Sequence, residues 1–221
     1  MDKDNRIPIV VGVTGHCAIR PQDIAALCST VKMGLKKLLA AYPHSPIVMI
    51  SSLAEGADLL CADVAETLSI PLIAVLPREQ SDYELDFSKA ARERFLHHCS
   101  RAKRVFVAPN TEQIPETGVD RNFQFRQAGI YVATHCNILL ALWDGGPGTA
   151  AACGTAEAVD FALLGNFVPA NGNMTKKEGT IVVHIFTPRG DRAEKDVGTV
   201  AVLGDYDSLV NELRKIDRAN R

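Results

Sequence analysis

Three stretches of this sequence carry residues suited to holding an anion. In Val11-Gly12-Val13-Thr14-Gly15-His16, two glycines bracket a threonine at the end of an apolar run. Glycine permits positive φ and close backbone approach, which bares N–H groups to a phosphate, and Thr14 adds a hydroxyl donor. His16 has three open roles: a cap, a ligand contact, or a backbone hydrogen bond. The second stretch, Ser51-Ser52-Leu53-Ala54-Glu55-Gly56-Ala57-Asp58, sets two hydroxyls before a helix start. Ser51 or Ser52 could bond a phosphate or a ribose, and Glu55 could accept from a ribose hydroxyl or an exocyclic amine. Equally, Ser52 could be a helix cap, with Glu55 and Asp58 complementing the helix dipole. In the third, Asp144 and Gly145 follow an apolar strand, and Gly154-Thr155-Ala156 opens a helix whose first N–H groups face the same rim. Gly145-Gly146-Pro147-Gly148-Thr149 is a rival phosphate loop, separated from that helix by Ala150-Ala151-Ala152. Together the three turns point to a nucleotide-type ligand.

Other side chains are open to two readings. Arg126 could reach a phosphate or pair with a surface carboxylate. Tyr83 and Phe87, four apart on a helix face, could stack a base or simply fill core. GxxxxGK[ST], GxSxG and HExxH patterns are absent, which disfavours P-loop enzymes and familiar hydrolases.

The elements that must position these residues alternate. Apolar, β-branched runs at Ile7–Val13, Ile47–Ile50, Leu72–Leu76, Lys103–Ala108, Asn137–Trp143 and Ile181–Ile185 read as strands. Between them, Ile24, Leu27, Val31, Leu35 and Leu38 recur at helical spacing after Pro21, and Leu60, Cys61, Val64, Ala65 and Leu68 do so after Gly56. Further helices are expected over Arg121–His135 and Gly154–Leu164, with a polar loop at Ala170–Gly179 and a flap at Pro109–Val119. Alternating strands and helices predict an α/β, Rossmann-like three-layer fold: a mostly parallel sheet of six or seven strands with helices on both faces. In such sheets ligands sit beyond the carboxyl ends of the strands.

The chain has 221 residues, 47% hydrophobic and 23% charged, as expected for a globular domain with a full core. Its net charge of -2 argues against a nucleic-acid or anionic-membrane partner. Cys17, Cys28, Cys61, Cys99, Cys136 and Cys153 show no CxxC spacing, so reduced thiols in a cytoplasmic protein are expected, with no metal. The charged start of the sequence is too poor in apolar residues to be expected to act as a signal peptide, and no run approaches the roughly 18 apolar residues of a membrane span.

In their order, Val11–His16, Ser52–Asp58, Ala74-Val75-Leu76-Pro77, Leu140–Gly145 and Gly154-Thr155-Ala156 resemble the SLOG superfamily, over about Ile7 to Arg189. This Rossmann-like group contains the Lonely guy phosphoribohydrolases and the Smf/DprA proteins. The resemblance implies a nucleotide-derived small molecule held by Gly12, Thr14, Gly15, His16, Ser51, Ser52, Leu53, Glu55, Asp144, Gly145, Gly154, Thr155 and Ala156. It also implies a homodimer or higher homo-oligomer, no cofactor, and a single domain over 1–221 without direct membrane contact. A terminal helix over 205–221, with Leu209, Leu213 and Ile216 on one side, could lead on to an effector or membrane module. Lonely guy enzymes carry a PGGxGTxxE-type motif; here Cys153 replaces a glycine, and Ala158 stands three past Thr155. The first motif continues with Cys17 where related sensors often have arginine, and Arg20 is the nearest substitute. The expected role is therefore a sensor of a cyclic-nucleotide or ADP-ribose-like second messenger in bacterial signalling or antiviral defence. The alternative is a nucleotide N-glycosidase of the Lonely guy type. There Glu55 or Asp144 would assist a ring-oxygen cation or activate water, and Arg126 would hold the phosphate.

Overall fold

A computed structural model describes residues 6–110, 120–146, 154–164, 180–190 and 197–203. Its centre is β1 (Ile9–Gly15), whose β-branched residues are flanked on both sides by parallel partners. Towards one edge lie β2 (Ile47–Ser51), β3 (Leu72–Leu76) and β4 (Arg104–Val107); towards the other lie β5 (Ile138–Trp143), β6 (Ile181–Phe186) and β7 (Val200–Leu203). The order is β4-β3-β2-β1-β5-β6-β7, parallel throughout except for β7, which runs antiparallel to β6. This is the expected Rossmann-like sheet.

The period of two along each strand sorts side chains between two helical layers. Val11, Val13, Met49, Ala74, Leu140 and Leu142 pack in one core with Leu27, Val31 and Leu35 of α1 (Ile24–Ala41), Leu60, Cys61 and Val64 of α2 (Ala57–Thr67), and Phe95 of α4 (Lys89–Arg101). Ile50, Val75, Leu139, Ala141 and Val182 face the other way. They pack against Ala128, Val132 and Ala133 of α5 (Arg121–Thr134) and Val159 and Ala162 of α6 (Thr155–Leu164). The one-turn helix α3 (Gln80–Tyr83) buries Tyr83 edge-on to Phe87, Phe95 and Phe125, so Tyr83 and Phe87 form core.

Two boundaries differ from expectation. The first strand starts at Ile9, leaving Ile7 86% exposed, and it continues to Gly15 because Thr14 and Gly15 still pair with Ala141 and Leu142. Gly12 is therefore a mid-strand residue, not part of a turn. The short edge strand β7 is not among the apolar runs expected as strands; Gly198, at φ +75°, precedes it. The loop residues Pro147 to Cys153, most of the flap, the polar loop at 170–179 and the terminal segment 205–221 lie outside the described residues. Among the described residues no helix is long and apolar enough to cross a membrane. Cys61, Cys99 and Cys136 are buried free thiols, Cys28 is half-buried and Cys17 exposed.

Candidate functional site

From β1 the chain winds outward through β2, β3 and β4, then returns to the opposite side of β1 with β5. Strand order reverses between β1 and β5, so the loops leaving their carboxyl ends diverge and leave a crevice. A cavity of about 440 Å³ fills that crevice. The end of β1 supplies Thr14, Gly15 and His16, the β2–α2 turn Ser52 and Asp58, and α5 Arg126. The start of α6 supplies Gly154, Thr155 and Glu157, and the end of β6 supplies Arg189. Gly12, Ser51, Leu53, Asp144, Gly145 and Ala156 do not line it. Glu55 lines an adjoining cavity of about 730 Å³, which shares Cys17, Ala18, Ala54 and Phe125 with the first.

The glycines of the first motif serve packing. A Cβ on Gly12 would meet Cys136 Sγ at 2.8 Å, and one on Gly15 would meet Ala57 Cβ at 2.4 Å. Gly15 thus lets the first turn of α2 sit directly on the end of β1. Gly56, at φ +92°, completes this contact: the carbonyl oxygens of His16 and Cys17 lie where its Cβ would be, and the Ala57 N–H donates to His16 O at 3.0 Å.

The second turn is stapled from within. Ser51 Oγ donates to Asp58 Oδ2 at 2.7 Å, and the Ser52 N–H donates to the same oxygen at 3.1 Å. The Leu53 N–H donates to Ser51 Oγ at 3.0 Å, which holds Leu53, fully buried, at the left-handed φ of 55°. These donors are spent on an internal carboxylate. Burial pushes the Asp58 carboxyl up to about 6, outweighing the Ser51 hydroxyl and the Ala54, Ser52 and Leu53 amides that favour its charged form. Glu55 is likewise committed: it accepts from Ser88 Oγ at 2.7 Å and Ser88 N–H at 3.1 Å, gripping the residue that caps α4.

At the rim, His16 is 2% exposed and joins three strand ends. Arg189 donates to Nδ1 from Nε at 3.0 Å and Nη2 at 2.5 Å. The Asp144 amide nitrogen lies 3.1 Å from Nε2, and Asp144 Oδ1 lies 3.4 Å away. Donors approach both ring nitrogens, so the ring holds one proton at most. Burial and the Arg189 charge lower its pKa to about 4 against the opposing pull of Asp144. The Asp144 carboxyl is itself held below its usual range: burial opposes ionisation, but the Gly146 N–H at 3.0 Å, His16 and Arg189 outweigh it. Arg20 pairs with Asp23 and donates to the Gly190 carbonyl at 3.1 Å, fastening the loop after β1 to the end of β6.

Two cations and a helix start therefore converge on the 440 Å³ cavity. The Arg189 side chain is 63% exposed despite its contact with His16. Arg126 Nε donates to Glu157 Oε1 at 2.7 Å while its guanidinium lies over the Phe161 ring. The first N–H groups of α6 have no helical acceptor and open towards the same space. Arg189 and Asp58 were missed as site residues in the sequence. For Arg189 the only signal was its place at the end of a strand, in Thr187-Pro188-Arg189-Gly190. For Asp58 it was a lone carboxylate followed by the apolar run Leu59-Leu60-Cys61-Ala62.

No family model matches the chain, and no curated protein matches it. Two solved structures are similar in fold. One is DNA processing protein A from Streptococcus pneumoniae, with 17% identity and a TM-score of 0.47, matched over 96% of this chain and 56% of its own. The other is the same protein from Helicobacter pylori, with 12% identity and a TM-score of 0.48, matched over 96% and 82%. This chain thus spans little more than half the length of the first. Both fall in the Smf/DprA group that the sequence motifs resemble. The second is described by its single-stranded DNA binding mode, and the exclusion of nucleic acid drawn from net charge does not stand. A whole-chain charge of -2 sums over the surface and says nothing about a local cluster such as Arg126 and Arg189.

Proposed function

We propose that the protein binds a nucleotide derivative, with a phosphate held in the cavity between β1 and β5, and acts as a sensor of that ligand. One observation carries this reading: Arg126, Arg189 and the first turn of α6 face one cavity at the point where strand order reverses. Charge-assisted bonds from both arginines and the α6 amides would hold a phosphate, and the hydroxyls of Thr14 and Ser52, which line the same cavity, would be available to a sugar. A homodimer would transmit the bound state. Binding is favoured over N-glycosidic cleavage because Glu55 is engaged by Ser88 and Asp144 by Gly146, His16 and Arg189. Neither is placed as a ready general acid or base.

The phosphate can belong to a free nucleotide or to a single strand of nucleic acid, and one panel separates them. Melting temperature and product formation are followed with nucleoside monophosphates, NAD, cyclic mono- and dinucleotides, and a short single-stranded oligonucleotide. A shift with a small nucleotide and no product is expected. Release of free base would overturn sensing in favour of the glycosidase. A shift with the oligonucleotide alone would move the ligand to nucleic acid, and no shift with any compound would overturn the reading altogether.

A further inference from the structure

A second cluster lies between α2 and α4, outside the 440 Å³ cavity, with its Asp63 and Arg94 on the lining of the adjoining 730 Å³ one. Asp63 and Glu66 stand one turn apart on α2, facing Arg94, His97, His98 and Arg101 of α4. His97 Nε2 lies 3.0 Å from both Glu66 carboxylate oxygens, and His98 Nε2 lies 2.7 Å from Asp63 Oδ1. Glu66, His97 and His98 each offer one ligand atom, and these atoms all fall within 4.8 Å of one another.

We propose that Glu66, His97 and His98 form a binding site for a divalent transition-metal ion of the zinc class. Two imidazoles and one carboxylate are the donor set that borderline ions such as zinc favour, and a hard cation such as magnesium does not. Tetrahedral coordination at roughly 2.0–2.1 Å brings ligand atoms to about 3.4 Å from one another. The His97–Glu66 pair is already closer than that, and the exposed side chains of both can swing to admit the ion.

His98 supplies the rigid corner. It is 4% exposed, and its Nε2 lies 2.7 Å from Asp63 Oδ1, a contact that fixes the ring. A carboxylate bonded to one nitrogen is the usual orienting partner of a histidine that ligates a metal through the other. Without an ion, the negative charge of the cluster is met by Arg94 on Asp63 at 2.5 Å and Arg101 on Glu66 at 2.8 Å. Both arginines are largely exposed and can turn to solvent when a dication arrives. The ion would fasten α2 to α4, the two helices that meet the cavities through Asp58, through Asp63 and Arg94, and through the Glu55–Ser88 clasp. The sequence hid this set because its ligands come from two helices some thirty residues apart.

The test uses the full chain without an affinity tag, stripped with chelator. Zinc is expected to raise the melting temperature and to bind with one equivalent per chain by calorimetry. Cobalt(II) should develop visible ligand-field absorption, and magnesium should do neither. His97→Ala and Glu66→Gln change exposed residues, so they should fold normally and lose the zinc response. Asp63→Asn should weaken zinc by about tenfold or more through the orientation of His98. His44→Ala should leave binding intact. Absence of a zinc or cobalt response in the wild type, or an undiminished response in His97→Ala and Glu66→Gln, would overturn the site. Neither outcome bears on nucleotide binding.

Discussion

Gly56→Ala is expected to cost about 3–5 kcal/mol of folding stability, the sum of backbone strain and overpacking. Its φ of +92° is glycine territory, and the new Cβ would lie 2.2 Å from Cys17 O and 2.4 Å from His16 O. Those carbonyls cannot simply retreat. His16 O accepts from the Ala57 N–H, and the His16 N–H donates to Leu142 O at 3.0 Å, so moving them unzips the end of β1 from both α2 and β5. The matched control has the opposite sign. Gly34 sits inside α1 with nothing within 4 Å of its Cβ position, so Gly34→Ala should add up to about 1 kcal/mol through helix propensity. Urea denaturation of both variants checks the pair. A Gly56→Ala loss no larger than an ordinary surface change would contradict the close packing of this turn.

The second large effect is hidden in the wild type by cancellation. In the folded protein Asp58 keeps its proton up to about pH 6, whereas the unfolded chain releases it near the model-peptide value of 3.8. The folded state then binds more protons, so this group lowers stability as pH rises through that window, by about 3 kcal/mol in total. His16 acts the other way. Its unfolded form takes a proton below 6.5, its folded form only near 4, so stability increases with pH between those values, again by about 3 kcal/mol. The two slopes oppose each other between about pH 4 and 6. Asp58→Asn keeps an oxygen for Ser51 and Ser52 and should expose the His16 slope, with stability rising across the window relative to wild type. His16→Asn should expose the reverse. Denaturation midpoints at several pH values measure both, and parallel profiles for wild type and Asp58→Asn would contradict the burial of that carboxyl.

The pair also marks the limit of what the sequence discloses. Six strands were legible as apolar, β-branched runs because a parallel sheet covered on both faces asks for little else. β7 was not: four residues on an antiparallel edge carry too short a pattern. Gly12 and Gly15 read as an anion loop, since the same residue type that bares a backbone to phosphate also lets Cys136 or Ala57 press against a strand. Asp58 read as a partner of the helix dipole, but its depth under the Ser51–Ala54 turn depends on how α2 docks. Arg189 meets His16 across 173 positions, a contact created only when β6 settles beside β5. Strand identity is local, while side chains that converge at a topological switch point are set by strand order.

The most direct measurement of the central claim is the dissociation constant of the strongest binder from the nucleotide panel, taken for wild type and for Gly154→Leu. Gly154 lines the cavity at the mouth of α6, so the new side chain would stand between the helix amides and the phosphate. Loss of those charge-assisted bonds predicts weakening by about a hundredfold or more. Equal affinities for the two proteins would contradict a phosphate held at the start of α6.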